Sequence, residues 1–133
     1  IVSKYKPRLI VVYEGDNDIG SGNPVDAVLR EFDDFTNFVN RRLPKTDVCF
    51  IAVKPSVLRK DFWPKMQRVN NGLAKRAQKT ERICYIDIAT PMLQADGTVD
   101  PNLFVSDGLH LNQSGYDVWA AAVKPVLVAR SPE

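Results

Sequence analysis

Histidine is almost missing from this sequence. There is one in 133 residues, which excludes a histidine-rich metal centre. Cysteine is nearly as scarce, with Cys49 and Cys84 alone, so a disulfide framework of the small-secreted kind is excluded. Both sit in apolar stretches, where the expectation is two buried free thiols, reduced and unreactive. No excess of one charge exists either: eighteen basic and sixteen acidic residues give +2, too balanced to argue for nucleic acid or a membrane surface. The longest apolar runs, Leu9 to Tyr13 and Val48 to Val53, fall far short of the ~20 residues that cross a bilayer. A membrane span is excluded. The chain opens on Ile1 rather than Met, with no charged-then-apolar leader, so it is expected to be processed, trimmed or part of something longer. A soluble protein is expected, secreted or periplasmic if an upstream segment has been removed.

What is present is ordinary. Hydrophobic residues are 44% and charged residues 26%, the balance of a globular protein. No repeat, low-complexity tract or linker divides the chain, so residues 1–133 read as one domain large enough to bury a core.

Three short continuous apolar runs, at Arg8–Tyr13, Val48–Val53 and Ile83–Ile88, have the signature of strands buried on both faces of a parallel sheet. Amphipathic helices are expected between them. The first has Asn23 as cap, Pro24 in its first turn, and Val25, Val28, Leu29, Phe32, Phe35, Val39 and Leu43 on one face. The second starts near Pro64, with Met66, Val69, Leu73 and Ala77 inward; Gly72 weakens it. The last starts near Asn112 or Ser114, and Pro125 is expected to end or kink it. Strand and helix alternate, which gives an α/β fold with a parallel sheet of about three strands.

Two polar clusters carry candidate chemistry. Gly15-Asp16-Asn17-Asp18 follows the first strand, at the sheet end where ligands bind in open α/β folds. Asn17 can offer an amide N–H to an oxyanion, though a plain polar turn reads the same way. Asp107-Gly108-Leu109-His110 places an aspartate three residues before the only histidine. It can fold back to hold Nδ1 and stabilise an imidazolium. Asp87, at the end of the third strand, is given no role.

Together these blocks resemble the SGNH (GDSL-type) hydrolases. Tyr13-Glu14-Gly15-Asp16-Asn17-Asp18 looks like their Gly-x-Asn-Asp block, and Asp107-x-x-His110, with Leu111-Asn112 and Gly115-Tyr116, like their last block. Lys54-Pro55-Ser56 and Phe104-Val105 are also similar to bacterial members. The resemblance covers residues 5 to 127. It implies a flavodoxin-like, three-layer α/β/α sandwich that hydrolyses esters of acyl chains, lipids or acetylated sugars, without a cofactor or metal. It implies Asn17 as an oxyanion donor, His110 as general base and acid, and Asp107 as its orienting partner.

The same resemblance implies what is absent. The family's nucleophilic serine and its oxyanion glycine lie in blocks before Gly-x-Asn-Asp, and only fourteen residues precede Gly15 here. The fold is therefore expected to be N-terminally truncated. None of the six serines (Ser3, Ser21, Ser56, Ser106, Ser114 and Ser131) sits in a strand-to-helix elbow. Ser21, after the Asn17 turn, and Ser56, after the second strand, can lie at the same sheet end, although a solvated or capping hydroxyl reads the same way. Water activated by His110 is an alternative nucleophile. An ester hydrolase with an incomplete or rebuilt site is one reading; a non-catalytic oligomerising scaffold is the other. Without the upstream strand, the Leu9–Tyr13 edge is expected to pair with another chain, giving a homo-oligomer and a composite site.

Overall fold

A computed structural model of the chain describes residues 2–130; Ile1 and Ser131, the last of the six serines, lie outside the described residues. The order of elements is α1 (Val2–Tyr5), β1 (Leu9–Val12), α2 (Asp16–Gly20), α3 (Val25–Arg42), β2 (Asp47–Ile51), α4 (Trp63–Ala77), β3 (Ile83–Ile86) and α5 (Gln113–Arg130). Single 3-10 turns at Lys60–Phe62, Thr90–Met92 and Pro101–Leu103 punctuate the loops. The strands form one parallel sheet in the order β1-β2-β3.

Alternation along each strand divides the core into two layers. Val48 and Phe50 of β2, with Ile10 and Val12 of β1, pack under Val28, Phe32 and Val39 of α3 and Met66, Val69 and Leu73 of α4. Cys49 and Ile51 point the other way, with Leu9 and Tyr13, toward Val118, Trp119, Ala122, Val123 and Val126 of α5. The result is a three-layer α/β/α sandwich with β2 at its centre. Arg76 clamps α4 to α3 by a bidentate pair with Asp33, at 2.6 and 2.7 Å. Gly72 leaves room where the two helices cross, since a Cβ there would meet the Leu29 side chain at 2.7 Å. A residue that costs helix propensity is thus repaid in packing.

Three expectations are corrected. Cys49 and Cys84 are not free thiols; they are joined in a disulfide. The parallel register sets Cys49 directly opposite Cys84, with Cα atoms 4.4 Å apart, and residues paired this way project to the same face of the sheet. Apolar flanks argue for burial, which suits a disulfide as well as a thiol. Pro125 does not end the last helix, which runs on to Arg130. Pro125 is exposed, so water can serve the carbonyl left without a donor, and Val118, Trp119, Ala122 and Val123 before it and Val126 after it pack against the core. Asn23 does not cap α3; Pro24 occupies the cap position, and its carbonyl accepts from Ala27 and Val28.

Candidate active site

The polar turn after β1 is a short helix, and its geometry follows from Gly15. That residue adopts φ 103°, in the left-handed region, and a Cβ there would meet Val53 at 3.0 Å. Glycine alone fits both conditions. The chain then enters α2 with Asp16 buried and Asn17 exposed.

Asp16 is the anchor of this half. Its carboxylate pairs with the Lys54 ammonium on one oxygen and with Arg59 Nη1 on the other, at 2.5 Å. Tyr13 donates its hydroxyl to the same carboxylate at 3.2 Å. Burial alone would raise the Asp16 pKa, but the hydrogen bond and charge of Lys54, and then those of Arg59, outweigh it and hold it below the ordinary value. The Tyr13 phenol is pushed upward, first by burial and then by the Asp16 charge, so it stays protonated and donates. Arg59 also reaches Asn17, donating from Nη2 to Oδ1 at 3.0 Å.

The second half is the loop before α5. Asp107 Oδ1 accepts from the backbone N–H groups of Leu109 (2.8 Å) and His110 (2.9 Å), while Oδ2 lies 2.5 Å from His110 Nδ1. These bonds, with that to the imidazole foremost, depress the Asp107 pKa to about 2. The arrangement favours the tautomer with its proton on Nδ1, leaving Nε2 as the basic nitrogen. The imidazole is 75% exposed. Asn112 braces the loop from below: its Nδ2 donates to the carbonyls of Asn102 and Phe104, and its Oδ1 accepts from Gly115 at the start of α5. Gly115 is buried so tightly that a Cβ would meet the Leu103 carbonyl at 2.4 Å.

The two halves meet across one cleft of about 600 Å³, lined by Asn17, Lys54, His110, Leu111, Tyr116 and Trp119 among others. Its wall is Tyr13 edge-on to Trp119, with ring centroids 4.9 Å apart. Asp107, His110 and Asn17, the three residues singled out in the sequence, thus lie at one end of the sheet, with Asp107 reaching the cleft through His110. Among the described residues lining the cleft there is no serine and no cysteine. Ser56 is buried and accepts from the Arg59 N–H, and Ser21 ends α2 at the surface. Asp87 caps the turn after β3, accepting from the N–H groups of Ala89 and Thr90.

Sequence reasoning gave no role to Asp16, Arg59 or Lys54. Lys54 and Ser56 belong to a stretch that drew attention for its resemblance, and that was the one available signal. Arg59 stands alone in sequence, 43 positions from Asp16.

A parallel sheet between helical layers, with a histidine–aspartate pair and a neighbouring amide at its carboxyl edge, is an SGNH-like hydrolase fold. The profile of the GDSL-like lipase/acylhydrolase family matches residues 1–118, and the chain belongs to that family. Among solved structures, it is similar to a carbohydrate esterase family 3 protein from Talaromyces cellulolyticus, with TM-score 0.80 and 20% identity over 96% of this chain. It is similar to a GDSL-like lipase from Bacteroides thetaiotaomicron, with TM-score 0.74 and 20% identity over 94% of this chain. The OSK domain of Drosophila Oskar shares the fold at TM-score 0.73 and 17% identity over 87% of this chain. The chain spans 60%, 64% and 62% of the lengths of these three, respectively. No curated protein matches it in sequence. No described helix is long and apolar enough to cross a membrane.

Proposed function

We propose that this chain hydrolyses carboxylic esters of acyl or acetyl groups, with His110 as general base and acid, Asp107 as its orienting partner and Asn17 as oxyanion donor. The observation that carries the reading is the 2.5 Å contact between Asp107 Oδ2 and His110 Nδ1, at a cleft that Asn17 also lines. In the reaction, a water or hydroxyl O–H gives its proton to Nε2 as its oxygen bonds to the ester carbonyl carbon. The carbonyl electron pair moves onto oxygen, where Asn17 Nδ2 donates a hydrogen bond. Collapse breaks the bond to the leaving alkoxide, and the imidazolium returns the proton to it. With a hydroxyl nucleophile the acyl group is then held on that oxygen as an ester, and water repeats the cycle through Nε2 to release the acid and restore the hydroxyl. Asp107 stays ionised throughout, which its low pKa supports.

Among the described residues no serine lines the cleft, which supports reading the site as incomplete or rebuilt. We therefore propose that the nucleophile is water or a hydroxyl carried by a second copy. β1 stands at an edge of the sheet, Val11 is 39% exposed, and a groove of about 370 Å³ runs beside it, lined by Val11, Val12, Val28, Phe32 and Phe35. An open apolar edge invites strand pairing, which supports a homo-oligomer joined there. The same lack of a serine favours the rival reading, a scaffold that keeps the fold without the chemistry. Hydrolysis of p-nitrophenyl acetate separates the two: the enzyme reading expects turnover that falls by about 10²–10⁴-fold in His110→Ala. Light scattering at micromolar concentration tests the oligomer; a stable monomer contradicts it.

A further inference from the structure

We propose that Arg59 is a positioning residue that fixes the Asn17 side-chain amide, holding its carbonyl oxygen so that Nδ2 is presented to the cleft. The inference rests on the reading of Asn17 as oxyanion donor and names what makes that donor ready.

Asn17 is exposed near the start of a five-residue helix. An asparagine in that setting rotates freely about its side-chain bonds unless something holds it. Among the described residues, Arg59 Nη2 is the group that bonds its side chain, at 3.0 Å on Oδ1. A guanidinium only donates, so the amide must turn its oxygen toward Arg59 and its NH₂ away. No bond from Nδ2 to another described residue competes for that end, which is free to face an oxyanion.

The holder is itself held at several points. Arg59 Nη1 reaches Asp16 at 2.5 Å, and that carboxylate is fixed on its other side by Lys54. The guanidinium lies against Gly20, where a Cβ would meet Nε at 2.7 Å. The Arg59 backbone N–H donates to the buried Ser56 hydroxyl at 3.1 Å. One residue earlier, the Leu58 N–H donates to the Gly108 carbonyl at 3.0 Å, inside the loop that carries His110. The stretch after β2 therefore ties the base loop to the donor helix, and Arg59 is the end that reaches the donor. Lysine cannot take its place, since one ammonium lacks the planar fork that serves Asp16 and Asn17 together.

The test uses the full chain labelled with ¹⁵N and reads the Asn17 side-chain NH₂ by heteronuclear NOE, alongside p-nitrophenyl acetate hydrolysis. Arg59→Lys keeps a cation beside Asp16 and is expected to leave the fold intact while the Asn17 amide loosens to the mobility of a free surface amide. Arg59→Met should do the same. Should Arg59→Met fail to fold, Gly20→Ala displaces the guanidinium without removing it and should loosen the amide too. Hydrolysis by Arg59→Lys should lose about tenfold to a hundredfold in kcat with KM within about twofold, because only the charge that develops on the carbonyl oxygen loses its partner. An Asn17 amide as rigid in Arg59→Lys and Gly20→Ala as in the parent chain overturns the proposal. So does a loosened amide with kcat unchanged. If the parent chain does not hydrolyse the ester, the hydrolase reading fails by itself, and the amide mobility still decides whether Arg59 positions Asn17.

Discussion

Replacing Asp16 by alanine leaves Lys54 and Arg59 facing each other with no anion between them. The Lys54 side chain is 9% exposed and that of Asp16 10%, so the ammonium cannot recover water by a small movement. Removing one partner of a buried pair typically costs about 3–5 kcal/mol, chiefly because the other charge stays buried. Arg59 is 19% exposed and can swing outward, which places the expectation near the low end, about 3 kcal/mol. With a urea dependence of about 1–3 kcal/mol per molar, the unfolding midpoint should fall by at least about 1 M. The double variant Asp16→Ala, Lys54→Met should recover part of the loss, because the stranded ammonium is gone. The pH dependence has a definite sign. The folded pKa of Asp16 lies below its ordinary 3.8, so this stabilisation is full above about pH 4 and is lost as the pH falls through the folded value. A midpoint moved by less than about 0.3 M, or a double variant less stable than Asp16→Ala, would refute the buried-anchor account.

Gly115→Ala should destabilise the chain by roughly 1–3 kcal/mol in the same urea assay, since its Cβ would run into the Leu103 carbonyl at the base of the His110 loop. The Asp107 carboxyl, followed by NMR, should titrate near pH 2; because its pKa is lowered on folding, its bonds to His110 and Leu109 help stability above about pH 4 and fade as the pH falls toward 2. The chain unfolded in denaturant without reductant should show no titratable thiol, and reduction should lower its stability by up to about 4 kcal/mol, from the entropy of a loop spanning 35 positions.

The strands were legible because helices cover both faces of the sheet, so Leu9–Val12, Val48–Ile51 and Ile83–Ile86 read as unbroken apolar runs, although only β2 is buried along nearly its whole length and Val11 of β1 is exposed. Helices α3 and α4 were legible from their three–four periodicity, with boundaries displaced by one or two residues. The Asp107–His110 bond was foreseen because it is local: three residues and a left-handed glycine bring the groups together. What escaped depends on distant pairings. Cys49 meets Cys84 only through the β2–β3 register, and Asp16 meets Lys54 and Arg59 only when the loops after β1 and β2 share one sheet end. Pro125 does not end the helix because its face is exposed, where water can serve the carbonyl left without a donor.

The most direct test of the proposed chemistry is steady-state hydrolysis of p-nitrophenyl acetate by the parent chain, His110→Ala and Asn17→Ala, each first shown to be folded by its thermal melt. The account predicts turnover above buffer for the parent, a fall of about 10²–10⁴-fold in His110→Ala, and a fall of about 10²–10³-fold in Asn17→Ala. A parent chain no faster than buffer, or folded variants that match the parent, would contradict it.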